Sequence, residues 1–208
     1  GTLARRLAEA SLGAGGGLTV EELRGALPRT APATTLRIGN DIVATTEADG
    51  GATLAALQGS PAGGGATGAQ AGLLTLDRDG QAVACAFSMN NLFGTGRVAR
   101  GTGILLAAAP GGSVPQAPLA VALAQNANLR SFRASVVGTG QDAAPAAAAG
   151  TMLQLLRNVP PAQAIPAGAP GGRALAISCP RYLPGSPTLC EGAADPRGAG
   201  IALGSIAR

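Results

Sequence analysis

The chain of 208 residues has a narrow stock of reactive side chains: 15 arginines, 11 carboxylates and three cysteines besides its hydroxyls, with no histidine and no lysine. Lack of histidine removes the commonest general base and transition-metal ligand, so His-dependent serine or cysteine triads and zinc chemistry are excluded within the chain. Lack of lysine excludes Schiff-base and P-loop lysine mechanisms. Neither a metal nor a cofactor is therefore expected. Cys85 sits in the apolar run Ala82 to Phe87 and reads as a small buried hydrophobe. Cys179 and Cys190 bracket Pro180 to Leu189, a loop that a disulfide would close in an oxidising compartment and that free thiols would leave open.

The elements that must position these residues are built from small apolar side chains. Apolar residues make 46% of the chain and the mean hydropathy is +0.27, which excludes a disordered polar tail, yet Phe87, Phe93, Phe132 and Tyr182 are the only aromatics. The core must then come from Ala, Leu, Val and Ile. With 33 glycines and 15 prolines the chain is loop-rich but folded. The net charge of +4 is scattered, and with almost no aromatics to stack bases no nucleic-acid partner is expected. No run approaches the roughly 18 to 20 apolar residues that span a bilayer, so no membrane span is expected in this chain. It opens at Gly1 without a charged, then apolar, leader, which suggests a fragment or processed product.

Apolar spacing predicts an amphipathic helix over Thr2 to Ala10, and Thr19 is the expected N-cap of a short helix carrying Glu21 and Glu22 in its first turn. Thr34 to Ile38 and Asp41 to Thr45 alternate as strands, and Ala52 to Gln58 reads as helical. Gly72 to Leu76, the turn Asp77-Arg78-Asp79-Gly80 and Gln81 to Met89 form a hairpin with Gly80 where positive φ is wanted. Leu119 to Ala127 fits a helix or a strand, Arg133 to Val137 a strand, and Ala143 to Arg157 an Ala-rich helix. The tail from Val159 is dominated by Pro and Gly. Hairpin, strands and then helix indicate an α+β fold.

Three segments carry a family resemblance. Leu76-Asp77-Arg78-Asp79-Gly80-Gln81-Ala82-Val83-Ala84, then Ser88-Met89-Asn90-Asn91-Leu92-Phe93-Gly94-Thr95-Gly96, then Gly101-Thr102-Gly103-Ile104-Leu105-Leu106 resemble the start of the small subunit of gamma-glutamyltransferases. Gly192-Ala193-Ala194-Asp195-Pro196-Arg197 is similar to the closing motif of that family, and Gly16-Gly17-Leu18-Thr19 with Glu21-Glu22-Leu23 resembles a piece near the end of its large subunit. The resemblance divides the chain into a segment 1–58 like the end of the large subunit, a Gly-rich linker 59–71 around the expected self-cleavage site, and a β-rich small-subunit-like domain 72–208. It implies the C-terminal portion of a four-layer αββα sandwich of the N-terminal-nucleophile hydrolase type. It also implies a missing N-terminal half or partner subunit and a periplasmic or otherwise extracytoplasmic location. In such enzymes a threonine freed by self-cleavage attacks the gamma-glutamyl amide of glutathione-type substrates while its own α-amine serves as base, so no histidine is needed.

Carried over residue by residue, the resemblance places the nucleophile at Gln70 or Ala71, where there is no hydroxyl; Thr67 is the nearest, as nucleophile or as a plain linker residue. Ser88 matches a hydroxyl beside the nucleophile, and Asn90 the asparagine that holds the glutamyl headgroup. The backbone of Gln141 and Asp142, after Gly138-Thr139-Gly140, matches the oxyanion loop. The acidic and amide ligands of the family fall on Ala109 and Gly112, and its paired serines on Ala120 and Val121. Two functions follow. One is transfer or hydrolysis of a gamma-glutamyl small molecule by Thr67; the other is an inactive, uncleaved relative that binds a ligand or serves as scaffold.

Overall fold

A computed structural model describes residues 1–46, 51–60, 70–109, 116–184 and 190–204. Two compact units divide the chain, one of Gly1–Ala31 with Ser88–Gln116 and the other of Pro32–Phe87 with Ala117–Arg208.

The first unit contains α1 (Thr2–Gly13) and α2 (Val20–Gly25). Thr19 caps α2 as its sequence predicts: its Oγ1 accepts from the Glu22 N–H at 3.1 Å while Glu22 Oε2 accepts from the Thr19 N–H at 2.7 Å, so each residue satisfies a donor that the helix start would orphan. The segment after Asn90 folds back on itself through Thr95 N–H to Leu106 O and Leu106 N–H to Arg97 O, both 2.9 Å. Arginine side chains tie it to α1, Arg97 donating to the Gly13 carbonyl and Arg6 to the Gly101 carbonyl. Its hydrophobic side chains remain largely uncovered, Leu12 being 74% and Phe93 68% exposed.

The second unit holds β1 (Thr34–Ile38), β2 (Asp41–Thr45), α3 (Ala52–Leu57), β3 (Gln70–Leu76), β4 (Ala82–Ser88), β5 (Ala120–Asn126), β6 (Phe132–Thr139), α4 (Ala144–Leu156), α5 (Pro161–Gly168), β7 (Arg173–Leu183) and β8 (Glu191–Ala194). Six strands form an antiparallel sheet in the order β1-β2-β5-β6-β7-β8, while β3 and β4 pair as a separate ribbon. Leu119 to Ala127, ambiguous by periodicity, resolves as a strand because it is paired on both sides and buried on both faces. The Pro- and Gly-dominated tail from Val159 builds a helix and two strands: Pro161 sits in the first turn of α5, where its missing N–H costs nothing, and Arg173 to Leu183 is an 11-residue strand.

Three layers result. Ala120, Ala122, Ala124, Ala134, Val136, Ala174 and Ala176 face α3, α4 and α5, packing on Ala148, Met152, Leu155, Ala164 and Ile165. Small side chains let the backbones approach closely. A Cβ on Gly138 of β6 would land on the Ala144 carbonyl, and one on Gly150 of α4 would land on the Gly168 carbonyl of α5. On the other face of the sheet Gly72 of β3 lies against Val137 and Leu175, with room for no Cβ, since one would come within 2.6 Å of Val137 Cγ1. The ribbon alternates, leaving Leu73, Val83 and Phe87 more than half exposed on its outer side. Its turn is held by Asp77 Oδ1, which accepts from the Asp79 and Gln81 N–H groups at 2.9 and 2.8 Å, with Gly80 at φ 85°. Cys179 and Cys190 form a disulfide joining the middle of β7 to the residue before β8, and Cys85 is free and half-buried.

Candidate functional site

β6 ends at Thr139, and the chain turns into α4 through Gly140 and a 3-10 turn, Gln141–Ala143. Gly140 at φ 120° and Gln141 at φ 52° both lie in the left-handed range, which directs two successive N–H groups to one side. These donors open a helical run, where the first N–H groups lack intrahelical partners and the local potential is positive. Gly140 must be glycine here for a second reason: a Cβ would press within 3.1 Å of the Gly172 Cα.

The group that occupies these donors is the side chain of Gln70, the first residue of β3. Its Oε1 accepts from Gly140 N–H at 2.8 Å and from Gln141 N–H at 2.6 Å, and its Nε2 donates to the Pro118 carbonyl at 2.6 Å. Two convergent N–H groups on one carbonyl oxygen are the geometry that stabilises an acyl oxygen as negative charge develops on it. With the Pro118 carbonyl opposite, the seat is complementary to a primary carboxamide, offering two donors to its oxygen and an acceptor to its nitrogen. A carboxylate would place an oxygen against the Pro118 carbonyl and be disfavoured.

The candidate residues are distributed as follows. Gln70, one of the two positions aligned with a nucleophile, is at the seat, while Thr67 lies outside the described residues. Of the expected oxyanion pair, Gln141 N–H does line the seat; its companion is Gly140 and not Asp142, one residue earlier than the sequence register indicates. Ala120 and Val121 are buried apolar residues at the start of β5. Ala109 is exposed, and Gly112 lies outside the described residues. Ser88 and Asn90 belong to the first unit and make a turn there. Ser88 Oγ accepts from the Asn90 N–H at 2.9 Å, Asn90 sits at φ 59°, and its Nδ2 donates to the Ala108 carbonyl at 2.9 Å.

The closing motif Asp195-Pro196-Arg197 works as a clamp. Arg197 Nε and Nη2 donate to the two oxygens of Asp195 at 2.9 and 2.6 Å, and Nη2 also reaches the carbonyls of Ala169 at 2.8 Å and Gly172 at 2.7 Å. Side-chain hydrogen bonds from Arg197 hold the nearly buried Asp195 carboxyl below the usual carboxylate range. The clamp fixes the connection from α5 to β7, and thereby Gly172, whose position limits Gly140. Among the described residues no group of three or more His, Cys, Asp or Glu side chains is placed to hold a metal ion, and no helix is long and apolar enough to cross a membrane.

No family model matches the chain, and no curated protein does. Similar solved structures exist. Cephalosporin acylase from Bacillus halodurans superimposes with a TM-score of 0.61 at 14% identity over 95% of this chain and 57% of its own. That likeness shows the fold. A highly active mutant of gamma-glutamyltranspeptidase from Pseudomonas nitroreducens superimposes with a TM-score of 0.49 at 16% identity, over 64% of this chain and 97% of that one. The same enzyme complexed with L-DON gives 0.49 at 17% identity and the same coverage. The chain spans little more than half the length of the acylase.

Proposed function

We propose that this chain is a gamma-glutamyltransferase-like domain that keeps the amide-recognition geometry of that class but has lost its nucleophile, and that it acts uncleaved as a binding or structural protein. One observation carries the reading: Gln70, at one of the two positions that align with the nucleophile, fills the two-donor seat with its carboxamide. A carboxamide oxygen held by two N–H groups does not attack a carbonyl. A substrate acyl oxygen would first have to displace three hydrogen bonds, at a cost of about 2 kcal/mol or more. The apolar residues Ala120 and Val121 at the start of β5 add no hydroxyl to the site.

The outer side of the β3–β4 ribbon supports a partner. Leu73, Val83 and Phe87 form an exposed apolar face on the layer farthest from the helices, and such faces mark interaction surfaces. A further helical layer there, supplied by an N-terminal half or a partner subunit, would complete a four-layer αββα sandwich; the 57% coverage of the acylase chain is in keeping with that. The Cys179–Cys190 disulfide supports an oxidising, extracytoplasmic location.

The purified chain, incubated and run on a denaturing gel, should stay a single band and should release no chromophore from a gamma-glutamyl anilide. Two bands with an N-terminal sequence beginning at Thr67, together with hydrolysis lost on Thr67→Ala, would establish the active alternative instead.

A further inference from the structure

At the other end of β6 from the Gln70 seat lies a second cluster of buried polar groups that nothing above uses. The β6–β7 register shifts between Phe132 and Ala134, and Arg133 at this irregularity turns its guanidinium towards the helices. Arg133 is 2% exposed; it donates to Ser178 Oγ at 3.0 Å, the Leu155 carbonyl at 2.6 Å and Asn158 Oδ1 at 3.0 Å. Among the described residues these three bonds leave part of its five-donor fork unspent. Asp41, the first residue of β2, is 7% exposed, and its Oδ1 is buried with no hydrogen-bond partner among the described residues. Desolvation pushes the Asp41 carboxyl up and the Arg133 guanidinium down, and each is partly offset by the charge of the other.

Two residues that face this cluster hold left-handed backbone without being glycine, Tyr182 at φ 65° and Asn158 at φ 63°. For a bulky residue such as tyrosine that conformation is costly, and it persists where the surroundings impose it. Both border a cleft of about 400 Å³ with Asp41 and Arg133 in its wall, Arg157 at its exposed rim, and Ile38, Leu153 and Leu156 as its apolar side. Asp41 lines this cleft, and its oxygen left unpaired among the described residues is an acceptor that a ligand's donor would satisfy. The two arginines against one aspartate leave a local positive charge, which argues against a metal ion or a simple amine and in favour of an acid. A bare inorganic anion satisfies the arginines but faces Asp41 with no donor.

We propose that this cleft binds a small aliphatic carboxylic acid carrying a hydrogen-bond donor on the carbon next to its carboxylate, that is, a 2-hydroxy or 2-amino acid. The carboxylate meets Arg157 and the unspent N–H groups of Arg133, the neighbouring hydroxyl or ammonium donates to Asp41 Oδ1, and the alkyl chain lies on Ile38, Leu153 and Leu156. The local charge ranks the anionic hydroxy acid above the net-neutral amino acid.

The test uses the whole chain and three probes of one carbon skeleton, 2-hydroxyisocaproate, leucine and isocaproate, with affinities read by titration calorimetry and saturation-transfer NMR. The hydroxy acid should bind, and isocaproate, which lacks the donor, should bind about ten-fold more weakly, a difference typical of one lost hydrogen bond to a charged group. Arg157→Ala, at an exposed position, should weaken binding by a similar factor without shifting the melting temperature. Asp41→Asn separates the two sources: it should weaken leucine more than the hydroxy acid, because only the ammonium loses an opposite charge. Binding of isocaproate as tight as that of the hydroxy acid, affinity unchanged in Arg157→Ala, or no binding by any of the three probes would each overturn the assignment.

Discussion

Gln70→Gly tests whether the seat is built for a carboxamide. The substitution removes the bonds to Gly140, Gln141 and Pro118 and leaves two N–H groups and one carbonyl without their partner. At part-buried positions water replaces some of this, so the hydrogen-bond loss is about 2 kcal/mol, and glycine at a strand start adds ~0.5 to 1 kcal/mol. For a chain of this length a total near 3 kcal/mol lowers the melting temperature by roughly 6 to 12 °C. The deleted atoms contain an acetamide unit, so the vacated seat should accept acetamide from solution. At about ten times its Kd, bound acetamide returns ~1.4 kcal/mol. Thermal melts of the variant and the parent in graded acetamide and acetate provide the assay. Acetamide should raise the melting temperature of the variant and not that of the parent, while acetate should do little, because its second oxygen faces the Pro118 carbonyl. Equal rescue by acetate would refute the argument that the seat discriminates through one acceptor, and a variant melting within a degree of the parent would refute the energetic role assigned to Gln70.

Three other outcomes follow from the geometry. Arg197→Ala should cost about 2 to 4 kcal/mol, since it leaves the nearly buried Asp195 carboxylate unpaired and frees the Ala169 and Gly172 carbonyls; urea denaturation measures it. Because the folded Asp195 carboxyl lies below its unfolded value, its stabilisation is present above the ordinary carboxylate pKa of about 3.9 and is lost as pH falls through the folded value, so the deficit of Arg197→Ala should shrink in acid. Gly150→Ala should destabilise by about 2 kcal/mol or more, although alanine is the better helix former, because its methyl would strike the Gly168 backbone; circular-dichroism melting decides. Phe87→Glu should leave the melting temperature within about 2 °C in calorimetry, as expected for a side chain on the exposed face of the ribbon.

Local chemistry made part of this fold legible in its sequence. The Thr19–Glu22 capping box, the Asp77–Gly80 turn and strands β1 and β2 each depend on neighbours a few residues apart, and all appear where the spacing predicts them. What was hidden depends on distant partners. Strand β7 reads as tail because Pro and Gly surround it, and its length comes from pairing with β6 and β8. Arg133 and Asp41 carry no local signature; a bulge and a sheet register bring them to one cleft. The seat was half legible: counting from Asp77 indicated Gln70 or Ala71, and of the donors indicated after Gly140, Gln141 and Asp142, the seat uses Gln141, with Gly140 as the other. Their meeting could not be read, since it needs β3 laid against β6.

The identity of residue 70 follows from a constraint on the donors rather than on the chemistry they could assist. Gly140 and Gln141 present N–H groups at the start of a helical run whether or not a reaction takes place, and buried donors require an acceptor. A hydroxyl-bearing side chain at the start of β3 is too short to satisfy both donors and also reach Pro118, whereas glutamine, two carbons longer, spans from the strand to both N–H groups and still donates in the other direction. A small side chain at this position would leave a polar hole. Glutamine closes that hole with the group the seat is shaped to hold, and in doing so fastens β3 to the segment before β5 and to the turn after β6. A serine or threonine at position 70 would give up the three bonds, so the fold itself favours glutamine there.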